Sequence, residues 1–157
     1  EKMPDNIGEY TVPLGVPEVL IEGSDITIVT YGMCLKIVDQ AAQILLSKGI
    51  KVELIDIQTF LPFDLENVIL DSLSKTNRLL IVDEDVPGGG SAFILQQLID
   101  ERGAYYLLDS KPQTLTAKDH RPPFGDEGDY FSKPNTEDVV ETVIDILLEV
   151  EPNRKLN

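Results

Sequence analysis

Three groups of residues in this chain have the types and spacing to do chemistry. The first is the run Pro87-Gly88-Gly89-Gly90-Ser91, directly after the acidic triplet Asp83-Glu84-Asp85. Glycines between a strand and a helix leave backbone N–H groups free to hold a phosphate at the helix start. The dinucleotide form of such a loop needs Gly-x-Gly-x-x-Gly. Gly88 and Gly90 fit, but Phe93 takes the third place, no Walker lysine follows, and the triplet in front repels an anion. A tight structural turn is the simpler reading, and a small anion-binding module is the alternative. The second group is Cys34 and His120, the one cysteine and the one histidine of the chain. A thiol at a helix start with an imidazole to activate it suits a Cys–His hydrolase or amidotransferase. A small apolar packing residue is the blander reading of Cys34, and one residue of each type is too few for a zinc centre. The third group is Asp126, Glu127 and Asp129, which could bind a hard cation or could simply be solvated loop charges.

The elements that must position these groups follow from apolar periodicity. Glu18–Glu22 reads as a short strand and Gly23–Asp25 as a turn. Ile26–Tyr31 is almost wholly apolar, as expected of a strand covered on both faces. Leu35, Val38, Ala41, Ala42 and Leu45 mark a helix from Cys34 to Lys48 that Gly49 stops. Val52–Ile57 is the next strand, followed by a loop to Asp64, which caps a helix carrying Leu65, Val68, Ile69 and Leu73. Arg78–Val82 is a strand, and Ser91 is expected to cap a helix that ends near Gly103. After an apolar turn at Tyr105–Leu108 comes a last strand, Gln113–Thr116, then a long loop, Ala117–Asn135. Asn135 or Thr136 caps a final amphipathic helix. Strands alternating with helices predict a mostly parallel sheet covered on both faces. The first strand has no crossover helix after it, which permits an antiparallel run. In a parallel sheet the loops at Tyr31–Cys34, Gln58–Phe63, Asp83–Gly90 and Ala117–Phe124 share the carboxyl edge, where such sheets bind ligands.

A chain of 157 residues with 42% hydrophobic and 26% charged residues is sized for one globular domain. The expected division is a lead-in over 1–17, a folded unit over 18–151 and a frayed tail over 152–157. The first residues read as the end of a linker, so a longer parent chain is expected. No apolar run reaches the length of roughly 18 residues that spans a bilayer. One cysteine excludes an internal disulfide and suits a cytoplasmic setting. A net charge of −15 argues against nucleic acid and anionic membranes and permits a basic protein partner.

Several spaced motifs resemble a known family. Tyr10-Thr11-Val12-Pro13-Leu14-Gly15 and Glu22–Gly32 are similar to the start of the C-terminal domain of 2-oxoacid dehydrogenase beta subunits. Gly49–Asp64, Thr76–Glu84 with the Gly88-Gly89 turn, Asp119, Pro122, Tyr130-Phe131 and Pro134 resemble its later segments. Gln58 stands where many members carry Arg, and Asp83 where His is frequent. The resemblance covers nearly the whole chain. It implies a transketolase C-terminal-type domain, a three-layer α/β/α sandwich on a five-stranded mostly parallel sheet with its first strand antiparallel. It also implies an intact enzyme of the pyruvate or branched-chain 2-oxoacid type. That enzyme uses thiamine diphosphate and magnesium to decarboxylate a 2-oxo acid and pass the acyl group to a lipoyl arm. The family's C-terminal domain serves assembly and docking. No cofactor, metal or catalytic residue is therefore expected in this stretch. Gly125-Asp126-Glu127-Gly128 fails the Gly-Asp-Gly magnesium and diphosphate motif of thiamine enzymes, because no Gly follows the Asp and the downstream Asn pair is missing. The implied partners are a companion alpha subunit or alpha-like half, a second copy of the chain, and the basic subunit-binding domain of a dihydrolipoyl acyltransferase. The acidic residues Asp126, Glu127, Asp129, Glu137, Asp138 and Glu141 are the candidates for receiving that basic domain.

Overall fold

In this computed structural model the described residues are 5–156; residues 1–4 and 157, the outer ends of the expected lead-in and tail, lie outside them. The elements run β1 (Glu18–Ile21), β2 (Ile26–Thr30), α1 (Cys34–Ser47), β3 (Val52–Asp56), α2 (Val68–Thr76), β4 (Leu79–Val82), α3 (Gly90–Gln96), which continues as a π-helical turn (Gln97–Glu101) and is followed by a 3-10 turn (Ala104–Leu107), then β5 (Gln113–Leu115), α4 (Asp126–Ser132) and α5 (Thr136–Val150). The sheet order is β1-β3-β2-β4-β5, with β1 antiparallel to β3 and every other pairing parallel. The five-stranded mixed sheet with an antiparallel first strand is thus the one expected.

Strand alternation sorts the core into two layers. Ile26, Ile28, Val52, Leu54, Leu80 and Val82 point to α1 and α5. Val29, Ile55, Leu79 and Ile81 point to α2 and α3. β2 and β4 are buried along their whole length, which is why β4 reads as an unbroken apolar run and β2 as one broken only by Thr27 and Thr30. Gly23 lets the β1–β2 turn lie against β3. Its N–H donates to Glu53 Oε2 at 3.0 Å, and a Cβ there would run into the Val52–Glu53 backbone.

Three boundaries differ from the sequence reading. The Asp64 helix begins at Val68, not Leu65, because Asn67 takes a left-handed conformation first. Asp64 still caps it, accepting the N–H groups of Val68 at 2.8 Å and Ile69 at 3.1 Å. The loop expected over Ala117–Asn135 contains α4. Proline and glycine mask its periodicity, and its acidic first turn of Asp126, Glu127 and Asp129 favours the helix start. Ser91 does not cap α3; the N-cap is Gly89, with no side-chain bond, and the anion at that helix start comes from elsewhere. Asn135 caps α5 in a capping box with Asp138, with Asp138 N–H on Asn135 Oδ1 at 2.9 Å.

At the amino edge of the sheet, buried Arg78 donates to Asp25 O, Asp109 Oδ2 and Glu151 Oε1 at 3.1, 3.1 and 2.8 Å. The segment after Glu151, read as a frayed tail, carries contacts there too. Arg154 donates to Asp25 Oδ1 at 2.8 Å, and Leu156 packs on the α1–α5 core.

A polar cluster lies under α2. Thr27 Oγ1 sits 2.6 Å from Ser72 Oγ and 2.7 Å from Thr76 Oγ1. Beside it, buried Glu53 is paired with half-exposed Lys75. Burial pushes the Glu53 carboxyl up, but the Lys75 ammonium, the Gly23 N–H and the Ser72 hydroxyl more than reverse this and hold it below the usual range. Its stabilising contribution is therefore present above the ordinary carboxylate range and lost as pH falls through the depressed value. Lys75→Met should lower stability by about 1–2 kcal/mol at neutral pH, a figure reduced for the partial solvation of Lys75. Urea melts should show that loss shrinking in acid; an equal loss at both pH values would contradict the pairing.

Candidate functional site

The four loops named above do converge on the carboxyl edge of the sheet, and side chains of the chain itself fill it. Asp83 follows β4 directly and is fully buried. Its Oδ1 accepts the Tyr31 hydroxyl at 2.6 Å and the Asp85 N–H at 3.0 Å, and its Oδ2 accepts the Ser91 N–H at 2.7 Å. The carboxylate thus occupies the position at the start of α3 where a bound phosphate would sit. Gly89 N–H is also engaged, on Val86 O at 3.1 Å. The anion-binding alternative fails on this geometry. Burial and the bond to Asp83 push the Tyr31 phenol far above its usual value, so it stays a neutral donor.

Aromatic rings continue the seal. Tyr31 meets Phe60 edge-on at 5.0 Å, Phe60 meets Phe93 at 5.7 Å, and Phe93 meets Phe63 at 5.8 Å. Arg102 lies over Phe63 at 5.2 Å and donates to Phe63 O and Asp64 O at 2.6 and 2.7 Å. Gly90 is required here, since a Cβ would meet the Tyr31 hydroxyl and the Phe60 ring.

Cys34 and His120 do not form a catalytic pair. Cys34 is 1% exposed in the α1 core. Burial, with Glu84 and Asp83 nearby, pushes its thiol up to about 11. His120 is exposed, with Nδ1 2.9 Å from Arg121 O and its ring 5.9 Å from Phe131. The hydrolase alternative therefore lacks both a reactive thiol and its base.

The six acidic candidates lie along α4 and the start of α5. Asp126, Glu127, Asp129, Glu137 and Glu141 are exposed, whereas Asp138 is half-buried in the capping box. Glu137 accepts the Tyr130 hydroxyl at 2.7 Å, which holds its carboxyl below the usual range and raises the phenol. Exposed aromatics interleave with these charges, with Phe124 fully exposed and Tyr130 and Phe131 more than half exposed. Lys118 lies 3.4 Å from the Phe131 ring centroid. Among the described residues no three His, Cys, Asp or Glu side chains are grouped to hold a metal ion, and no helix is long and apolar enough to cross a membrane. The sequence reading missed the role of Asp83. An acidic residue placed between a buried strand and a glycine turn was the available signal.

Comparisons with known proteins agree with this architecture. The family described as "Transketolase, C-terminal domain" matches residues 15–139. The "Pyruvate dehydrogenase E1 component subunit beta" of Mesostigma viride is 37% identical over 146 residues, covering 93% of this chain and 43% of that protein. The "2-oxoisovalerate dehydrogenase subunit beta" of Bacillus subtilis is 35% identical over 111 residues, 71% of this chain and 33% of that protein. The chain spans less than half the length of these curated relatives. A solved chain described as "Split gene transketolase, inactive beta4 tetramer" shares the fold with a TM-score of 0.72 at 22% identity, over 90% of this chain and 44% of that one.

The buried thiol gives a direct check. With its pKa near 11, Cys34 has about a hundredfold less thiolate at neutral pH than an ordinary cysteine. Alkylation of the folded chain should therefore be at least that much slower than in denaturant, and unchanged by His120→Ala. Rapid labelling that depends on His120 would restore the hydrolase reading.

Proposed function

This chain belongs to the transketolase C-terminal domain family, and we propose that it is the assembly and docking domain of the beta subunit, or beta-like half, of a thiamine-dependent 2-oxoacid dehydrogenase. The observation that carries this reading is the match to beta subunits of such dehydrogenases over as much as 93% of the chain. On this reading the intact enzyme oxidatively decarboxylates a 2-oxo acid and transfers the acyl group to lipoyl. Residues 18–151 form the folded unit, 1–17 lead into it, and the setting is cytoplasmic.

Thiamine diphosphate with magnesium supplies the decarboxylation chemistry in that enzyme, and the residues of this chain do not fit the group. A diphosphate needs free donors, and the Ser91 and Gly89 N–H groups are engaged inside their own turn. Magnesium needs converging oxygens, yet the carboxylates of Asp126, Glu127 and Asp129 stand exposed on α4, and among the described residues no set of ligands is grouped. On the proposed reading the cofactor lies in other parts of the enzyme.

The partners proposed are a companion alpha subunit or alpha-like half, a second copy, and the basic subunit-binding domain of the acyltransferase. Asp126, Glu127, Asp129, Glu137, Asp138 and Glu141 receive that last partner. Support comes from acidic charge interleaved with exposed Phe124, Tyr130 and Phe131, since docking surfaces combine aromatic anchors with a charged rim.

Two measurements test this reading. Calorimetry with thiamine diphosphate and magnesium should show no binding to this chain; micromolar affinity would overturn the assignment. Affinity for the basic docking domain should fall with salt, and by about tenfold when Asp126, Glu127 and Asp129 are all changed to Lys. Affinity unchanged by both would remove these residues from the interface.

A further inference from the structure

Strand β5 ends the sheet, and among the described residues no strand lies beside its outer edge. The Leu115 carbonyl accepts from Asp83 N–H at 3.0 Å, and Ala117 N–H donates to Asp85 O at 2.9 Å. The backbone groups of Leu115 and Ala117 therefore face the interior of the sheet, and by strand alternation those of Thr114 and Thr116 face outward. These are free ladder positions. Edges of this kind template an added strand unless something covers or blunts them.

The two walls of this edge differ in chemistry. On the α5 side stand Glu141, Asp145 and Glu149, spaced four apart on one helix face and all exposed. None of the three has an ion-pair partner among the described residues. Glu141 and Asp145 border a cleft of about 350 Å³ with Leu115 and Thr116. Glu149 borders another of about 550 Å³ with Ser110, Lys111 and Pro112, where Asp109 shares the wall with the one lysine. Each cleft also has a buried hydroxyl without a partner in its wall. Ser132, 1% exposed, lies in the first, and Ser110, 9% exposed, lies in the second. An orphaned buried hydroxyl is costly, and two of them along one open edge point to a polar occupant. On the α3 side the wall is mainly apolar, formed by Ala92, Leu95 and Ile99 with Pro112, with exposed Gln96 and Asp100 at its border.

We propose that the β5 edge is a docking rail for an extended segment of a partner protein in which basic and apolar residues alternate. Such a segment pairs its backbone with Thr114 and Thr116. Successive side chains of a strand point to opposite faces. One set therefore reaches the α5 carboxylates, and the other lies on Ala92, Leu95 and Ile99. Lys118 and Lys133 at the carboxyl end of the rail do not cancel the acidic stripe. The first is held over Phe131, and the second lies 3.9 Å from Glu84. A second copy of this chain is a poor occupant, since edge-to-edge pairing would bring together two chains of net charge −15 with their α5 stripes adjacent. This inference goes beyond the acyltransferase reading, which concerns α4 and the start of α5.

The probe is a capped peptide of alternating lysine and valine, titrated into the isotope-labelled chain with amide hydrogen exchange read by NMR. Thr114 and Thr116 amides should become protected at saturation. Affinity should fall at least about tenfold in an Asp145→Lys, Glu149→Lys double variant, and the same peptide with glutamate for lysine should not bind. Thr114→Pro removes one outward N–H at a position where an edge strand tolerates proline. With its circular dichroism unchanged, that variant should lose the protection. The proposal is overturned by an absence of binding, by binding without protection of the two amides, or by equal affinity for a helical basic peptide. Affinity unchanged by the double variant would overturn it as well. Because neither Asp145 nor Glu149 belongs to the proposed acyltransferase surface, failure here leaves that reading standing.

Discussion

Burying a carboxylate at the end of an interior strand costs on the order of several kcal/mol unless donors replace its water. The chain meets that cost at Asp83 with the Tyr31 hydroxyl and the N–H groups of Asp85 and Ser91. Each donor comes from a different place. Tyr31 follows β2, Asp85 lies in the turn, and Ser91 opens α3. One carboxylate therefore fixes where β2 ends, how the glycine turn folds and how α3 leaves the sheet. Because Tyr31 is fixed, its ring sets Phe60, and Phe60 sets Phe93 and the Arg102–Phe63 stack. The seal over the carboxyl edge of β2, β3 and β4 propagates from that single group.

The amino edge is closed differently. Arg78 and Arg154 gather Asp25, Asp109 and Glu151 from three separate parts of the chain. Asp109 and Glu151 keep 38% and 40% of their side-chain surface in water, so each pair on its own is weak. Their effect is positional. They fasten the end of α5 and the following residues to the starts of β2 and β4, beneath which Leu156 can pack. Both edges of the sheet are thus occupied by the chain's own charges, one buried and directional, the other half-solvated and distributed.

This difference in mechanism decides what the sequence could reveal. β2 and β4 were legible because full burial leaves a run that is almost or wholly apolar, and β1 was legible as an antiparallel strand because no crossover helix follows it. α1 and α5 were legible from the spacing of Val38, Ala41, Leu45 and of Val143, Leu147. What failed were the features set by distance along the chain. Ser91 looked like a cap by residue type, but the anion at that helix start is Asp83, eight residues earlier and brought back by the turn. α4 was hidden because it is short, holds Gly128 at its centre and follows Pro122-Pro123. Cys34 and His120 could be paired on paper only because burial is invisible there. Residue type gave the same weight to a thiol 1% exposed as to a free one.

A sheet of this topology is expected to hold its ligand outside the carboxyl ends of its strands. The location is present here, and Asp83 with its aromatic neighbours has taken it. In the docking role proposed for this domain, contact would fall to its outer faces. Those faces are acidic along α4 and α5, where nine carboxylates and one lysine lie between Asp126 and Glu151. Charge of that density speeds encounter with a basic partner and selects it, but exposed charges alone add little lasting affinity. Lasting contact needs desolvated anchors, and Phe124, Tyr130 and Phe131 stand exposed among the carboxylates of α4. Asp83 and Phe124 therefore mark opposite choices within one domain, with polarity turned inward to close the sheet and apolar surface left outward beside α4.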